Sequence, residues 1–439
     1  MKRRTPAAPA HRPSSPSQLV QVEKPLYGGD FLARVEGKAV FVPLTLPGEQ
    51  ARIRIVNEKR SYATAEPVEI VTPAAQRVAP TCRHFGVCGG CQYQHANYSV
   101  QLEIKQAVLR ETLERGGVRA PEKIDTISAE PWAYRNRIRV AFDSHGNPGY
   151  RGRRSHAIVP IAECPIAAPL PVRATLAASD VLKELRLLLR LTEISFFCNG
   201  DETAMLASAF TAESSAKGFE IFCTALAERI PEIKGLELVA ESPNNEPERI
   251  VAQWGGDSLT YRAAGYDFRV GHGAFFQVNR WLIDSLVDRV TRGLSGELAW
   301  DLFAGIGLFT RRLASQFTRV VAVESAPAAI AALKENLSDK NADVVKAETV
   351  QFLRRVAKND QPDLIVVDPP RTGLGAETTD LLASIGAPKL VYVSCDPATL
   401  ARDLRTLTDK EYAVDDIALI DLFPQTFHLE TVVRLRRER

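Results

Sequence analysis

Two short segments near the end of the chain hold residue types that can do chemistry together. Tyr392-Val393-Ser394-Cys395-Asp396-Pro397 places a thiol where an apolar run stops, and the segment from Asp421 ends in a carboxylate at Glu430. A thiol and a carboxylate in company suit methylation at a pyrimidine ring carbon. Carbon 5 of uracil is a poor nucleophile until a thiolate adds at carbon 6 and turns the ring into an enolate. A base must then remove the carbon-5 proton so that the thiolate can leave. Cys395 is read as the nucleophile and Glu430 as the base. Each alone has a blander reading, an inert core thiol or a surface carboxylate, so the pair needs a cofactor site beside it.

A second motif supplies that site. Asp301-Leu302-Phe303-Ala304-Gly305-Ile306-Gly307 follows an apolar run from Leu298 and leads into a helix near Leu308. Its glycines let the backbone turn tightly and approach a ligand at a helix start. Glu324 ends the next apolar run, about 20 residues on, where a carboxylate can accept both ribose hydroxyls. The third glycine that seats a pyrophosphate is absent. The pattern therefore favours a nucleoside without phosphates, S-adenosylmethionine, over NAD. Asp368-Pro369-Pro370 closes a further apolar run with two prolines, which fix a rigid loop at the ligand-binding end of a sheet. Asp-Pro-Pro also suits methylation of exocyclic base amines, but an amine needs no thiol, and Cys395 argues against that rival.

A third group lies far from these. Cys82, Cys88 and Cys91 have the spacing Cys-x5-Cys-x2-Cys, and Cys164 is a plausible distant fourth ligand. Four thiolates suit tetrahedral zinc or an iron–sulfur cluster alike, with spacing alone leaning slightly to zinc. Cys198 and Cys223 are read as core residues.

The elements that must position these groups follow from periodicity and composition. The chain has 439 residues, 45% hydrophobic and 25% charged, which excludes general disorder and suggests roughly three domains. No apolar run approaches the ~20 residues of a membrane helix, and Met1-Lys2-Arg3-Arg4 leads into Pro and Ser, unlike a secretory signal. Seven cysteines without export point to a reducing, cytoplasmic setting and no membrane partner. A net charge of +2 means that nucleic acid must be held by local basic patches. Residues 1–17 read as a disordered basic tail. Residues 18–76 read as a small closed barrel of five short strands: Val20 to Val22, Phe31 to Val35, Ala39 to Val42, Ala51 to Val56 and Val68 to Val71. A central α+β domain follows over 77–270. In it, the amphipathic helix from Tyr98 to the Gly116-Gly117 stop is free to pack on the last domain, and Thr175 to Leu191 reads as helical. Residues 271–439 alternate helices with apolar strands, the pattern of a parallel, doubly wound sheet.

The sequence resembles the RNA 5-methyluridine methyltransferases. Asp-Pro-Pro-Arg-x-Gly at 368–373, Ser-Cys-Asp-Pro at 394–397, Asp-Leu-Phe-Pro-Gln-Thr-x-His-x-Glu at 421–430 and Phe275-Phe276-Gln277-Val278-Asn279 carry the likeness. It implies an α/β protein with a C-terminal Rossmann-like class I methyltransferase domain, an N-terminal OB-like TRAM barrel that binds RNA, and a central mixed α+β domain. By position it assigns Cys395 as nucleophile and Glu430 as base, with Gln277, Phe303, Gly305, Glu324, Glu348 and Asp368 at S-adenosylmethionine. Glu348 stands where relatives usually have Asp, and Ala304 and Leu308 stand where they commonly have Cys and Asn. The cysteine segment resembles the [4Fe–4S] site of the ribosomal RNA branch, with Cys82, Cys88, Cys91 and Cys164 as its ligands. That branch implies 23S rRNA as the partner, with a transfer RNA uridine as the alternative and no obligate protein partner.

Overall fold

The computed structural model describes residues 17–185, 189–241, 249–338, 340–356 and 360–438. The expected basic tail lies outside them, apart from residue 17. Five strands, Gln18–Pro25, Asp30–Val35, Lys38–Pro43, Gln50–Glu58 and Tyr62–Thr72, close into a barrel. Alternation explains it: Val20, Val22, Phe31, Ala33, Val40, Val42, Ala51 and Ile53 point inward and share one core. The fifth strand starts six residues before the expected Val68, because Tyr62-Ala63-Thr64-Ala65 alternates with small residues that carry little hydrophobic signal.

The central domain is a seven-stranded sheet whose middle strands are Met205–Thr211, Glu193–Cys198 and Arg137–Phe142. Helices Pro169–Glu184 and Phe219–Arg229 cover it, burying Ala174, Ala178, Phe222 and Leu226. The first of these starts earlier than the periodicity suggested, at a proline whose missing N–H is no loss in a first turn. Cys198 and Cys223 are buried in this core.

The last domain carries an eight-stranded sheet. Ala342–Lys346, Phe317–Glu324, Gly296–Leu302, Leu364–Val367 and Lys389–Ser394 run parallel in that order. Thr431–Arg437 and Tyr412–Ile420 continue the sheet antiparallel. The parallel strands are nearly all apolar because helices cover both faces, and their carboxyl ends form one rim.

One segment expected in the central domain joins this sheet instead, and the helix that was free to pack on the last domain does so. Asp125–Ile127 is its edge strand, paired with Ala418 to Ile420. Helix Tyr98–Arg115 buries Val108, Leu109 and Leu113 against Leu400 and Leu404. The hairpin Ser258–Ala263 and Tyr266–Gly271 also shares a core with Leu286 and Ile306, so the 270/271 boundary cuts through one packed unit. Apolar contact, invisible in local composition, decides these memberships. Among the described residues no helix is long and apolar enough to cross a membrane.

Candidate active site and cysteine cavity

The turn after Gly296–Leu302 is built on three left-handed residues, Phe303 (φ 68°), Gly305 (φ 56°) and Gly307 (φ 94°). At φ 94° a side chain on residue 307 would be strained, and its Cβ would also press on Leu333 Cδ1 at 2.9 Å, so glycine suits this position. A Cβ at Gly305 would meet nothing within 4 Å, so this turn faces open space a ligand can fill. Phe303 is a non-glycine in a region that costs of order 1–3 kcal/mol, the kind of strain that gathers at ligand sites. Glu324 closes the cradle. Its carboxylate accepts from Gly305 N at 2.8 Å and from Ser325 N and Ala326 N, both at 2.7 Å. Oε1 takes two of these bonds and Oε2 one, which leaves a lone pair on Oε2 that a ribose hydroxyl could use.

Behind this turn Asp301 is fully buried, accepts from the Thr310 hydroxyl and leaves Oδ1 without a partner. Burial pushes its carboxyl up to about 7. Gln277 is buried, and its carbonyl accepts from Asn136 Nδ2 at 3.1 Å, which ties its loop to the central sheet. Glu348 stands apart, exposed before helix Thr349–Arg355, with no capping bond from its side chain.

Cys395, Glu430 and Asp368 meet on the same rim, one strand end apart. Cys395 follows Lys389–Ser394, Asp368 follows Leu364–Val367, and Glu430 precedes Thr431–Arg437. Lys389–Ser394 pairs with both flanking strands, which puts all three side chains at one place. Their fields overlap. Burial, then the Glu430 and Asp368 carboxyls, push the Cys395 thiol up to about 12. Burial, then Asp368, push Glu430 well above the carboxylate range, while Arg371 opposes the shift. Burial and then Asp301 raise Asp368 to about 7. Such a cluster of buried, shifted groups is what a proton-handling site looks like.

Sequence reasoning passed over several neighbours. Arg371 Nη2 donates to His428 Nδ1 at 3.2 Å, and burial followed by Arg371 pushes His428 down to about 4. Arg371 stands inside the Asp-Pro-Pro-Arg motif, so a signal for it was present. Tyr27 of the barrel reaches across to donate to Asp396 Oδ2 at 3.1 Å, and its ring meets Phe427 edge-on at 5.6 Å. No local pattern marks Tyr27. The barrel thus touches the residue next to Cys395.

Cys82, Cys88, Cys91 and Cys164 line one cavity of about 330 Å³, together with Tyr150, Arg135, Thr426, Phe427 and His428. Burial, then the Cys164, Cys88 and Cys82 thiols, push Cys91 up to about 12, opposed by Gln94. Gly90 N donates to Cys88 Sγ at 3.4 Å. Among the described residues no three His, Cys, Asp or Glu side chains are gathered to hold a single metal ion. The potential donor set in this cavity is four soft thiols.

Residues 17–68 match the TRAM domain model, and residues 256–438 match the model described as tRNA (Uracil-5-)-methyltransferase. A protein of Alkalilimnicola ehrlichii described as 23S rRNA (uracil(1939)-C(5))-methyltransferase RlmD is 32% identical over 428 residues, 93% of this chain and 94% of its own. The chain belongs to the RNA (uracil-C5) methyltransferase family. An uncharacterized RNA methyltransferase of Nitratidesulfovibrio vulgaris is 31% identical over 437 residues, 93% of each chain. The crystal structure of Pyrococcus abyssi tRNA (uracil-54, C5)-methyltransferase with S-adenosyl-L-homocysteine matches at TM-score 0.77 and 23% identity, covering 95% of this chain and all of that one. That likeness extends the shared fold to the central domain. The methyltransferase therefore uses S-adenosylmethionine and acts on RNA.

Proposed function

We propose that this methyltransferase makes 5-methyluridine in 23S rRNA through a covalent bond between Cys395 and carbon 6 of the target. The meeting of Cys395, Glu430 and Asp368 at one rim carries the reading. Cys395 loses its proton to water and adds as the thiolate at carbon 6, which moves electron density to carbon 5 and the carbon-4 oxygen. S-adenosylmethionine supplies the methyl group that carbon 5 then takes. Glu430, acting in its ionised form once its own proton has passed to water, removes the carbon-5 proton, the ring is restored, and the carbon–sulfur bond breaks to return the thiolate. Gln277, Phe303, Gly305, Glu324 and Asp368 hold the cofactor, and Glu348, from its exposed position, adds little. Carbon 5 is out of reach in stacked RNA, so the base must be extruded, at a cost of a few kcal/mol offset by contacts to the barrel and central domain.

The ribosomal substrate is supported by the 32% identical relative whose description names 23S rRNA. We favour a [4Fe–4S] cluster over zinc in the cysteine cavity. Four soft thiols lining one cavity suit either group, and the likeness of the segment around Cys82, Cys88 and Cys91 to the family's cluster site favours the cluster. The four cysteines would hold the cluster as a structural unit.

The test is a transcript of 23S rRNA carrying 5-fluorouridine, incubated with protein and S-adenosylmethionine. Fluorine cannot leave as a proton does, so an adduct stable in a denaturing gel is expected with wild type and none with Cys395→Ala. Trapping of transfer RNA transcripts instead would move the substrate. Methylation of ordinary RNA with no adduct would hand the reaction to exocyclic-amine chemistry.

A further inference from the structure

The base Glu430 sits at the end of a ten-residue connection, Asp421 to Glu430, between two antiparallel strands. Left to itself such a loop is mobile. Here one residue in its middle is held from outside by four hydrogen bonds. Gln425 N donates to Gln101 Oε1 at 3.0 Å, and Gln101 Nε2 donates back to Gln425 Oε1 at 2.9 Å. Gln92 N and Tyr93 N both donate to Gln425 O, at 2.9 and 3.0 Å. Both glutamines are buried, and Gln101 Nε2 also donates to Ala96 O at 2.9 Å.

Gln425 is also strained. Its φ of 68° is left-handed, which a side chain with Cβ adopts at a cost of roughly 1–3 kcal/mol. Such a conformation lasts only where its surroundings over-determine it. Gln101 does so through two reciprocal bonds to one residue, from a helix that is itself packed on the catalytic core. From Gln425 onward the path to the base is short and fixed. Phe427 N donates to Gln92 Oε1 at 3.3 Å, His428 N donates to the Thr426 hydroxyl at 3.3 Å, and the Glu430 carbonyl accepts from Ile420 N at 2.8 Å.

We propose that Gln101 is a positioning residue for Glu430, holding Gln425 in its left-handed conformation so that the carboxylate meets the carbon-5 proton. Gln101 is buried at 1% exposure, so it acts through Gln425 rather than on substrate. The role rests on the reading of Glu430 as the base, and it predicts a defect in one step. Proton removal follows methyl transfer, so a displaced Glu430 leaves the methylated base bound to Cys395. A general structural defect would slow every step and leave no such species.

The test compares wild type with Gln101→Met, which fills the space but cannot hydrogen-bond, and Gln101→Glu, which keeps an acceptor for Gln425 N. Each is incubated with S-adenosylmethionine and a 23S rRNA transcript containing ordinary uridine. Gln101→Met is expected to lower kcat roughly 10- to 100-fold, the effect of a misplacement of about 1 Å, with KM for S-adenosylmethionine within about twofold of wild type. It is also expected to accumulate a gel-stable protein–RNA adduct that wild type does not. Gln101→Glu is expected to recover part of kcat and to show less adduct. Normal turnover, slow turnover without adduct, or loss of S-adenosylhomocysteine binding in Gln101→Met would each overturn the positioning role. Parallel trapping on 5-fluorouridine RNA separates the two ideas. Wild type failing there sinks the carbon-5 chemistry itself, whereas wild type and Gln101→Met both trapping leaves it intact and isolates the late step.

Discussion

Lys105 and Asp421 form an ion pair inside the protein, with Nζ 2.5 Å from Oδ1 and both side chains withdrawn from solvent. Lys105 also donates to Phe423 O at 2.8 Å, and Asp421 Oδ2 accepts from the Tyr98 hydroxyl at 2.8 Å. Helix Tyr98–Arg115 is thereby bolted to the first residue of the connection that ends in Glu430.

A buried pair is weak evidence of net stabilisation, but half of one is costly because the remaining charge has no water. Lys105→Met is expected to destabilise the protein by about 3–5 kcal/mol in denaturant titrations. Adding Asp421→Asn, which removes the orphaned charge yet still accepts from Tyr98, is expected to recover a good part of that loss. If the double variant is as unstable as the two losses summed, the two side chains are not acting as a pair.

Much of the catalytic frame was legible because its signals are local. Gly305 and Gly307 after an apolar run announce a tight turn, Asp368-Pro369-Pro370 announces a strand end, and near-continuous apolar runs announce buried parallel strands. The clamp was not legible. Gln101 and Lys105 lie on the same buried face as Ile104, Val108 and Leu109, so they break the apolar stripe and read as solvent-facing. Their partners are more than 300 positions away in the chain, at Asp421 and Gln425. The left-handed Gln425 has no signature at all, since glutamine is not a residue that turns select. Asp125–Ile127 failed for another reason: three residues are too few to show a period.

Cys395 at rest is a protonated thiol, with burial, Glu430 and Asp368 pushing it up to about 12. Iodoacetamide alkylation of Cys395, followed by peptide mass mapping, should be slower at pH 7 than that of a free cysteine, whose pKa is about 8.5. The rate should rise about tenfold per pH unit between pH 7 and 9, because only the thiolate reacts. Arg371 pulls the thiol's pKa down, so Arg371→Ala should slow alkylation further at every pH. A flat profile over that range would mean that the thiol is already ionised and its surroundings differ from those described.

Asp301 gives the protein a pH dependence of stability with a definite sign. Its carboxyl is raised from 3.8 to about 7, mainly by burial, so the folded protein holds a proton that the unfolded chain releases near pH 4. Stability from this group is therefore complete below about pH 4 and falls as pH rises towards 7. Above that the folded state carries a buried carboxylate, a penalty of about 4 kcal/mol at most. Asp301→Asn keeps an acceptor for the Thr310 hydroxyl and removes the charge. Its melting temperature should exceed that of wild type at pH 8 and match it more closely at pH 4.5. Equal shifts at both values would show that the charge is not the cause.

The cysteine cavity shares a wall with the catalytic connection, because Thr426, Phe427 and His428 line it beside Cys82, Cys88, Cys91 and Cys164. Gln92 and Tyr93, directly after Cys91, donate to Gln425 O. Whatever orders the thiols therefore also orders the peptide that precedes Glu430. Cys91→Ser is expected to lose bound iron and sulfide, lower the melting temperature and depress methylation. The cofactor turn at Gly305 lies on other elements, so S-adenosylhomocysteine affinity should stay within about twofold, less than the ~1 kcal/mol of one lost hydrogen bond. Iron and sulfide assays on anaerobically purified protein, with calorimetry on the same samples, read all of these quantities. Wild type with stoichiometric zinc and no sulfide would replace the cluster by a single ion. A Cys91→Ser protein with unchanged melting and full activity would detach the cavity from the connection altogether.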